Sequence, residues 1–323
     1  MTALSGTATP ARRGPLARLG AWLAQERVFR WIPFALVEGT FILVIIIPFL
    51  LTIYISFLRW RANRPFEQAY LSGLRNYEAV LSDPGFWAAL GRTFYFAGFA
   101  VVFELVIGFV LAMLVHRVVR GRRIYITIFL IPMMVVPVVV GYNFSMIYID
   151  HGPLNQLLLP LTTTLGIEPR IRWLSDPLAA QWAIILADVW QWTSLTFLIF
   201  LSGYSALPPQ LINAARVMGA SRWQIFWWVE FPLLKPAIVI AVVVRSMEAL
   251  KLFDPVVLLT FGGPGTSTQT VAYYLWEQVW QFNKFAFGAA ASMLLLILFS
   301  ALIFTGIWLM MRERTRLERE RVS

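Results

Sequence analysis

Cysteine is absent from the 323 residues, and histidine occurs only twice, as His116 and His151. The first absence excludes disulfides, thiolate metal sites and a cysteine nucleophile. The second leaves too few imidazoles for a His-rich metal centre. Charge is scarce as well: 14% of residues are charged, against about 25% in a soluble globular chain. No G-x-x-x-x-G-K-[ST] loop is present, so the chain does not bind ATP by that route. Gly262-Gly-Pro-Gly265 reads as a turn at the end of an apolar stretch, not as a phosphate cradle. No Ser/His or His/Asp set is in register, so no enzyme activity and no resident cofactor are expected. Met1–Arg30 lacks the apolar core and small-residue site of a secretory signal.

What the chain has instead is hydrophobicity, 59% of residues, with 14 Trp and 25 Phe. A soluble domain of this length has too little interior to hide that surface, which excludes a soluble enzyme and predicts an integral membrane protein. About 20 apolar residues suffice for one helical crossing. Six stretches qualify: Pro33–Leu58, Thr93–Val115, Ile124–Tyr148, Ala179–Tyr204, Ala237–Thr260 and Phe285–Met311. Runs such as Phe41–Leu51 do not alternate, which excludes the strands of a membrane barrel. The predicted fold class is therefore all-α with six transmembrane helices.

With the N-terminus in the cytosol, the inner loops and tails carry more than twice as many Lys and Arg as the outer ones. The positive-inside rule then places both ends inside, in the inner membrane of a bacterial cell. The net charge of +10 is a topology signal and does not call for nucleic acid. Residues 1–30 read as a disordered cytoplasmic tail, 31–311 as the membrane domain and 312–323 as a charged cytoplasmic tail.

One inner segment, Leu207–Pro236, carries its own pattern. Leu207-Pro-Pro209 stops the fourth stretch, and Leu211–Met218 can form a short helix. Gly219-Ala-Ser221 then breaks it, with Ser221 able to cap a second helix over Arg222–Phe231 that Pro232 ends. Small residues at Ala214, Ala215, Gly219 and Ala220 allow a close approach by another chain. Trp223, Phe226, Trp227 and Trp228 equally suit a hairpin lying in the membrane interface.

Asn213-Ala-Ala-Arg216 through Gly219 to Pro232 resembles the "EAA" loop of binding-protein-dependent ABC importer permeases, in spacing and in place between the fourth and fifth spans. Leu74-Arg-Asn-Tyr77 with Asp83-Pro84, Gly152-Pro-Leu-Asn155 and Phe253–Pro264 resemble the sugar-importing, maltose-type branch. The resemblance covers about residues 33–311. It implies a type I importer fold, with the loop 207–236 as a cytoplasmic helix–turn–helix that couples to an ATPase. Asn213 stands where the family usually has Glu, and Met218 where Asp is frequent; Asn213 keeps hydrogen-bonding capacity toward the ATPase but not the charge. The implied partners are a second homologous permease, two ATP-binding cassette ATPases that hold ATP and Mg, an extracytoplasmic solute-binding protein and the lipid bilayer.

Charges inside spans mark pathways or internal pairs. Asp188, Gln191 and Trp192 share one helical face, as do Arg245, Glu248 and Leu252, with Lys251 and Asp254 near. A polar substrate path between these helices is one reading, and structural ion pairing is the other. The resemblance favours the path: maltose-type permeases meet their sugar at positions that align with Asp188, Gln191, Trp192, Leu195, Arg245, Glu248, Ala249 and Leu252. Glu104, a lone acid in the second span, is expected to pair within the bundle. A secondary carrier using Asp188, Glu248 and Arg245 as a proton relay is the rival from another class, and a membrane-embedded enzyme is a third.

Overall fold

The computed structural model describes residues 26–118, 120–166 and 170–320. Residues 1–25 and 321–323 of the two expected tails lie outside the described residues. Contacts divide the chain into two units, one up to Ile55 and one from Ser56 onward.

In the first unit, α1 (Glu26–Phe41) begins inside the segment expected to be a tail. It passes through a π turn, Ile42–Ile46, into α2 (Ile47–Ser56). The Ile47 N–H bonds back to Ile42 O. The widened turn moves carbonyls away from the ring of Pro48, which cannot donate and would otherwise clash with the preceding turn. Leu36–Ser56 is long and apolar enough to cross a membrane.

The second unit opens with a two-residue ladder, β1 (Leu58–Arg59) antiparallel to β2 (Tyr70–Leu71), with Leu58 opposite Leu71. Asn76 pins it by donating to the carbonyls of Ser56 (2.8 Å) and Leu58 (2.7 Å) from α3 (Arg75–Leu81). Asp83 then caps α4 (Pro84–Arg117), its carboxylate accepting from Gly85 N at 2.8 Å, with Pro84 at the first helical position.

The centre of this unit is α4 packed along α8 (Pro177–Ser205). Ala100, Glu104, Gly108 and Ala112 recur every fourth residue and form one buried stripe on α4. Small residues let the backbones close up, as membrane helix pairs require. A Cβ on Gly108 would lie 2.2 Å from Thr196 Oγ1 and 2.8 Å from Phe197 N. The neighbour here includes backbone, which cannot rotate away. Gly108→Ala is therefore expected to cost about 1–3 kcal/mol by overpacking, read as a lower thermal midpoint of the purified protein. An unchanged midpoint would mean that the two helices separate freely at this crossing.

The third apolar stretch is not one straight crossing. It forms α5 (Arg122–Met134) and α6 (Pro137–Ile147), which meet at 93°. Val135 and Val136 are extended and Pro137 starts α6. A residue before proline is driven out of the helical region, and here Val136 obeys that rule. Counting the bent pair as one span, six candidate crossings are found among the described residues. Beyond it, Asn155 of α7 (Pro153–Thr164) gathers the segment between α6 and α8, donating to Ile171 O (2.9 Å) and accepting from Trp173 Nε1 (3.1 Å).

The fifth crossing also differs from expectation. It runs from Arg222 to Ala249, not from Ala237 to Thr260. Pro232 does not end the helix begun at Arg222. A second π turn, Phe226–Glu230, joins α10 (Arg222–Ile225) to α11 (Phe231–Ala249), and Pro232 follows it as Pro48 follows the first. After α11 the chain turns into α12 (Asp254–Leu259), which packs on α6, with Leu258 against Gly141. A short α13 (Val271–Trp276) leads to α14 (Phe285–Glu320), whose Phe285–Trp308 part is the sixth candidate crossing. The helix thus continues into the segment expected as a charged tail.

Candidate functional site

Two groups of residues stand out: an ion cluster inside the bundle and an exposed turn at its end. The cluster joins three helices. Arg245 of α11 donates through Nη2 to Glu104 Oε1 of α4 at 2.8 Å and to Asp188 Oδ2 of α8 at 2.5 Å. Its Nε also bonds Glu104 Oε2, so Glu104 receives a two-pronged contact. Exposures of Glu104, Asp188 and Arg245 are 0%, 3% and 1%. The guanidinium lies 5.2 Å from the centre of the Trp192 ring, within cation–π range. Thr196 Oγ1 adds a bond to Glu104 O at 2.8 Å.

The expected path residues thus fall into different surroundings. Asp188 and Arg245 are buried and bonded to each other and to Glu104. Gln191 is buried too, and its amide donates to Val135 O at 2.9 Å. That carbonyl sits at the break between α5 and α6, whose missing helical partner Gln191 replaces. Ala249 and Leu252 are buried, while Trp192 and Leu195 are half-buried. Glu248 is exposed and pairs with Lys251 at 2.7 Å, not with Arg245. In this conformation the structure brings together Asp188, Trp192 and Arg245, and it leaves Glu248 apart from them. Glu104 is the member whose partner the sequence did not reveal.

The exposed turn is built by local rules. Helix α9 (Pro209–Val217) is followed by Gly219, whose φ of +83° lies in the left-handed region that favours glycine. Ser221 then makes a reciprocal capping box with Gln224: Gln224 N donates to Ser221 Oγ, and Ser221 N donates to Gln224 Oε1 at 2.8 Å. Ala215 and Ile225 point inward. Asn213, Ala214, Arg216 and Gly219 are exposed, Ala220 and Pro232 half-buried. The apex presents apolar side chains, Val217 at 88% and Met218 at 80% exposure. Beyond the turn, Glu230 of the π turn sits 3.8 Å from Arg117 at the end of α4.

No cluster of His, Cys, Asp or Glu that could hold a metal occurs among the described residues. Residues 104–309 match a family described as the binding-protein-dependent transport system inner membrane component. The chain is 34% identical over 82% of its length to the trehalose/maltose transport system permease protein MalF of Thermococcus litoralis, covering 87% of that protein. It is 29% identical over 86% of its length to the trehalose transport system permease protein SugA of Mycobacterium tuberculosis, again covering 87%. Among solved structures, a chain of a bacterial ABC transporter that imports the acidic polysaccharide alginate superposes with a TM-score of 0.74. The match has 20% identity and covers 91% of this chain and 99% of that one.

Proposed function

The chain belongs to the family of binding-protein-dependent transport system inner membrane components, and from that premise we propose that it is the membrane-spanning subunit of an ATP-driven importer for a carbohydrate. The observation that carries this reading is the extent of the match, from Glu104 to beyond the sixth crossing's midpoint, which takes in the ion cluster and the turn together. The sugar comes from the relatives: a trehalose/maltose permease and a trehalose permease are 34% and 29% identical to this chain over the matched residues.

In the proposed assembly this subunit pairs with a second permease, and an extracytoplasmic solute-binding protein delivers the sugar. Two ATPases in the cytosol bind ATP and Mg. Both ends of the chain face the cytosol of a bacterial cell, and the crossings lie in its inner membrane. The turn at Gly219 docks on an ATPase. When the ATPases close, the stroke passes through the docked turn to α11 and, through Glu230 and Arg117, to α4. The cavity between the two permeases then changes the side to which it opens.

The test is uptake by the reconstituted assembly. Radiolabelled disaccharide is expected to enter proteoliposomes only when ATP and the binding protein are both present, and a protonophore is expected to have no effect. Uptake that follows the proton gradient without ATP would favour the ion-coupled carrier and overturn the proposal.

A further inference from the structure

We propose that the cluster of Glu104, Asp188 and Arg245 is a proton-binding site, in which the two carboxyl groups hold one proton at neutral pH. The argument is charge balance inside a closed volume. One guanidinium faces two acids, all three are almost fully buried, and one nitrogen, Arg245 Nη2, bonds an oxygen of each acid. With both acids ionised the site would carry one uncompensated negative charge.

Among the described residues of the second unit, no element packed on these helices supplies the missing cation. The rest of α8 contains no ionisable side chain except Tyr204 at its far end. On α4 the other basic groups are Arg92, which donates to Gln269 O at 2.9 Å, and His116 and Arg117 in the last turn. On α11 Lys235 lies at the opposite end, and the nearby Glu248 is matched by Lys251. The other elements packed around these three add no cation near the cluster: residues 124–147 and 285–308 contain no Asp, Glu, Lys or Arg, Arg122 donates to Ser205 at the far end of α8, and α12 and residues 271–281 contribute only the acids Asp254 and Glu277.

An isolated charge held away from water is disfavoured enough that a buried acid takes up a proton instead. Two acids that crowd one site cannot both ionise without a second counter-charge. The titration belongs to the pair, so either amide exchange should remove it. The loaded site is neutral. It ties three helices together while offering no free charge to a passing solute, which separates it from a relay that must release its proton.

The experiment is infrared difference spectroscopy on the assembled transporter at neutral pH, comparing the parent with Asp188→Asn and with Glu104→Gln. Each exchange mimics a loaded acid and leaves one carboxylate for Arg245. The expected result is that both variants accumulate and melt like the parent, and that both lose one C=O band of a protonated carboxyl. The double variant leaves Arg245 without any counter-charge and is expected to be lost from the membrane. Absence of a protonated-carboxyl band in the parent at this site, with only carboxylate bands lost in the variants, would overturn the proposal. So would failure of both single variants to accumulate, because an amide should stand in for the protonated form.

Discussion

Arg245→Ala is expected to cost the bundle about 3–5 kcal/mol, the usual penalty for removing one partner of a buried ion cluster. The exchange leaves Glu104 and Asp188 facing each other in a closed interior with no cation. It also withdraws a side chain that is 1% exposed and among the largest fully buried ones, so a cavity adds to the electrostatic loss. Arg245→Lys should fall between: the charge remains, but a point ammonium cannot reproduce the fork that reaches Glu104 twice and Asp188 once. The combined exchange Glu104→Leu, Asp188→Leu and Arg245→Met should restore much of the loss, since it removes all three ionisable groups from an interior that favours apolar packing. Membrane abundance and the thermal midpoint of the detergent-solubilised protein read these effects. An Arg245→Ala protein that accumulates and melts like the parent would mean that the three groups do not hold the helices together.

This cluster shows where sequence reasoning stops. The spacing of Glu248 to Arg245 and to Lys251 is the same, so local periodicity offers both pairs, and the fold takes only the second. Arg245 is claimed instead by acids 141 and 57 positions away in the chain. No helical period reports such a contact. Glu104 was legible as an acid that had to pair inside the bundle, because an unpaired charge there is costly, but its mate was not. The same holds for Gln191, which reads as a path residue on its face with Asp188 and in the fold satisfies a broken helix at Val135.

The crossings themselves were mostly legible, because length and apolarity are one-dimensional signals. At the third and fifth crossings, where the fold departs, proline is involved. Pro137 was visible inside the third stretch, yet prolines are tolerated in membrane helices when neighbours satisfy the freed groups, so the residue alone does not choose between a straight and a bent crossing. Pro232 was read as a stop, and the π turn before it lets the helix continue. At the turn near Gly219, by contrast, every decisive interaction is local, and Gly219 and Ser221 declare it in the sequence.

That turn gives the second large expected effect: Gly219→Trp should abolish binding-protein-stimulated ATP hydrolysis and sugar uptake while the chain still reaches the membrane in normal amount. Within the subunit the exchange is mild. A Cβ at Gly219 meets nothing within 4 Å, and the φ of +83° costs a non-glycine residue roughly 1–2 kcal/mol. The exposed apex, with Val217 and Met218 uncovered, has no packing of its own to lose. Any severe consequence must therefore arise against a second molecule, and an indole on a thin turn fills the space that a cleft on the proposed ATPase would need. Gly219→Ala separates the two costs, since it keeps nearly all of the backbone strain and adds almost no bulk. It should retain most of the activity that Gly219→Trp loses. Asn213→Glu, on the exposed face of α9, restores the charge that resemblance to the EAA loop leads one to expect, and should leave ATPase association equal or stronger. If the turn instead lies in the membrane interface, an added Trp is favourable there, and the Gly219→Trp subunit would copurify with its ATPase and transport at the parent rate.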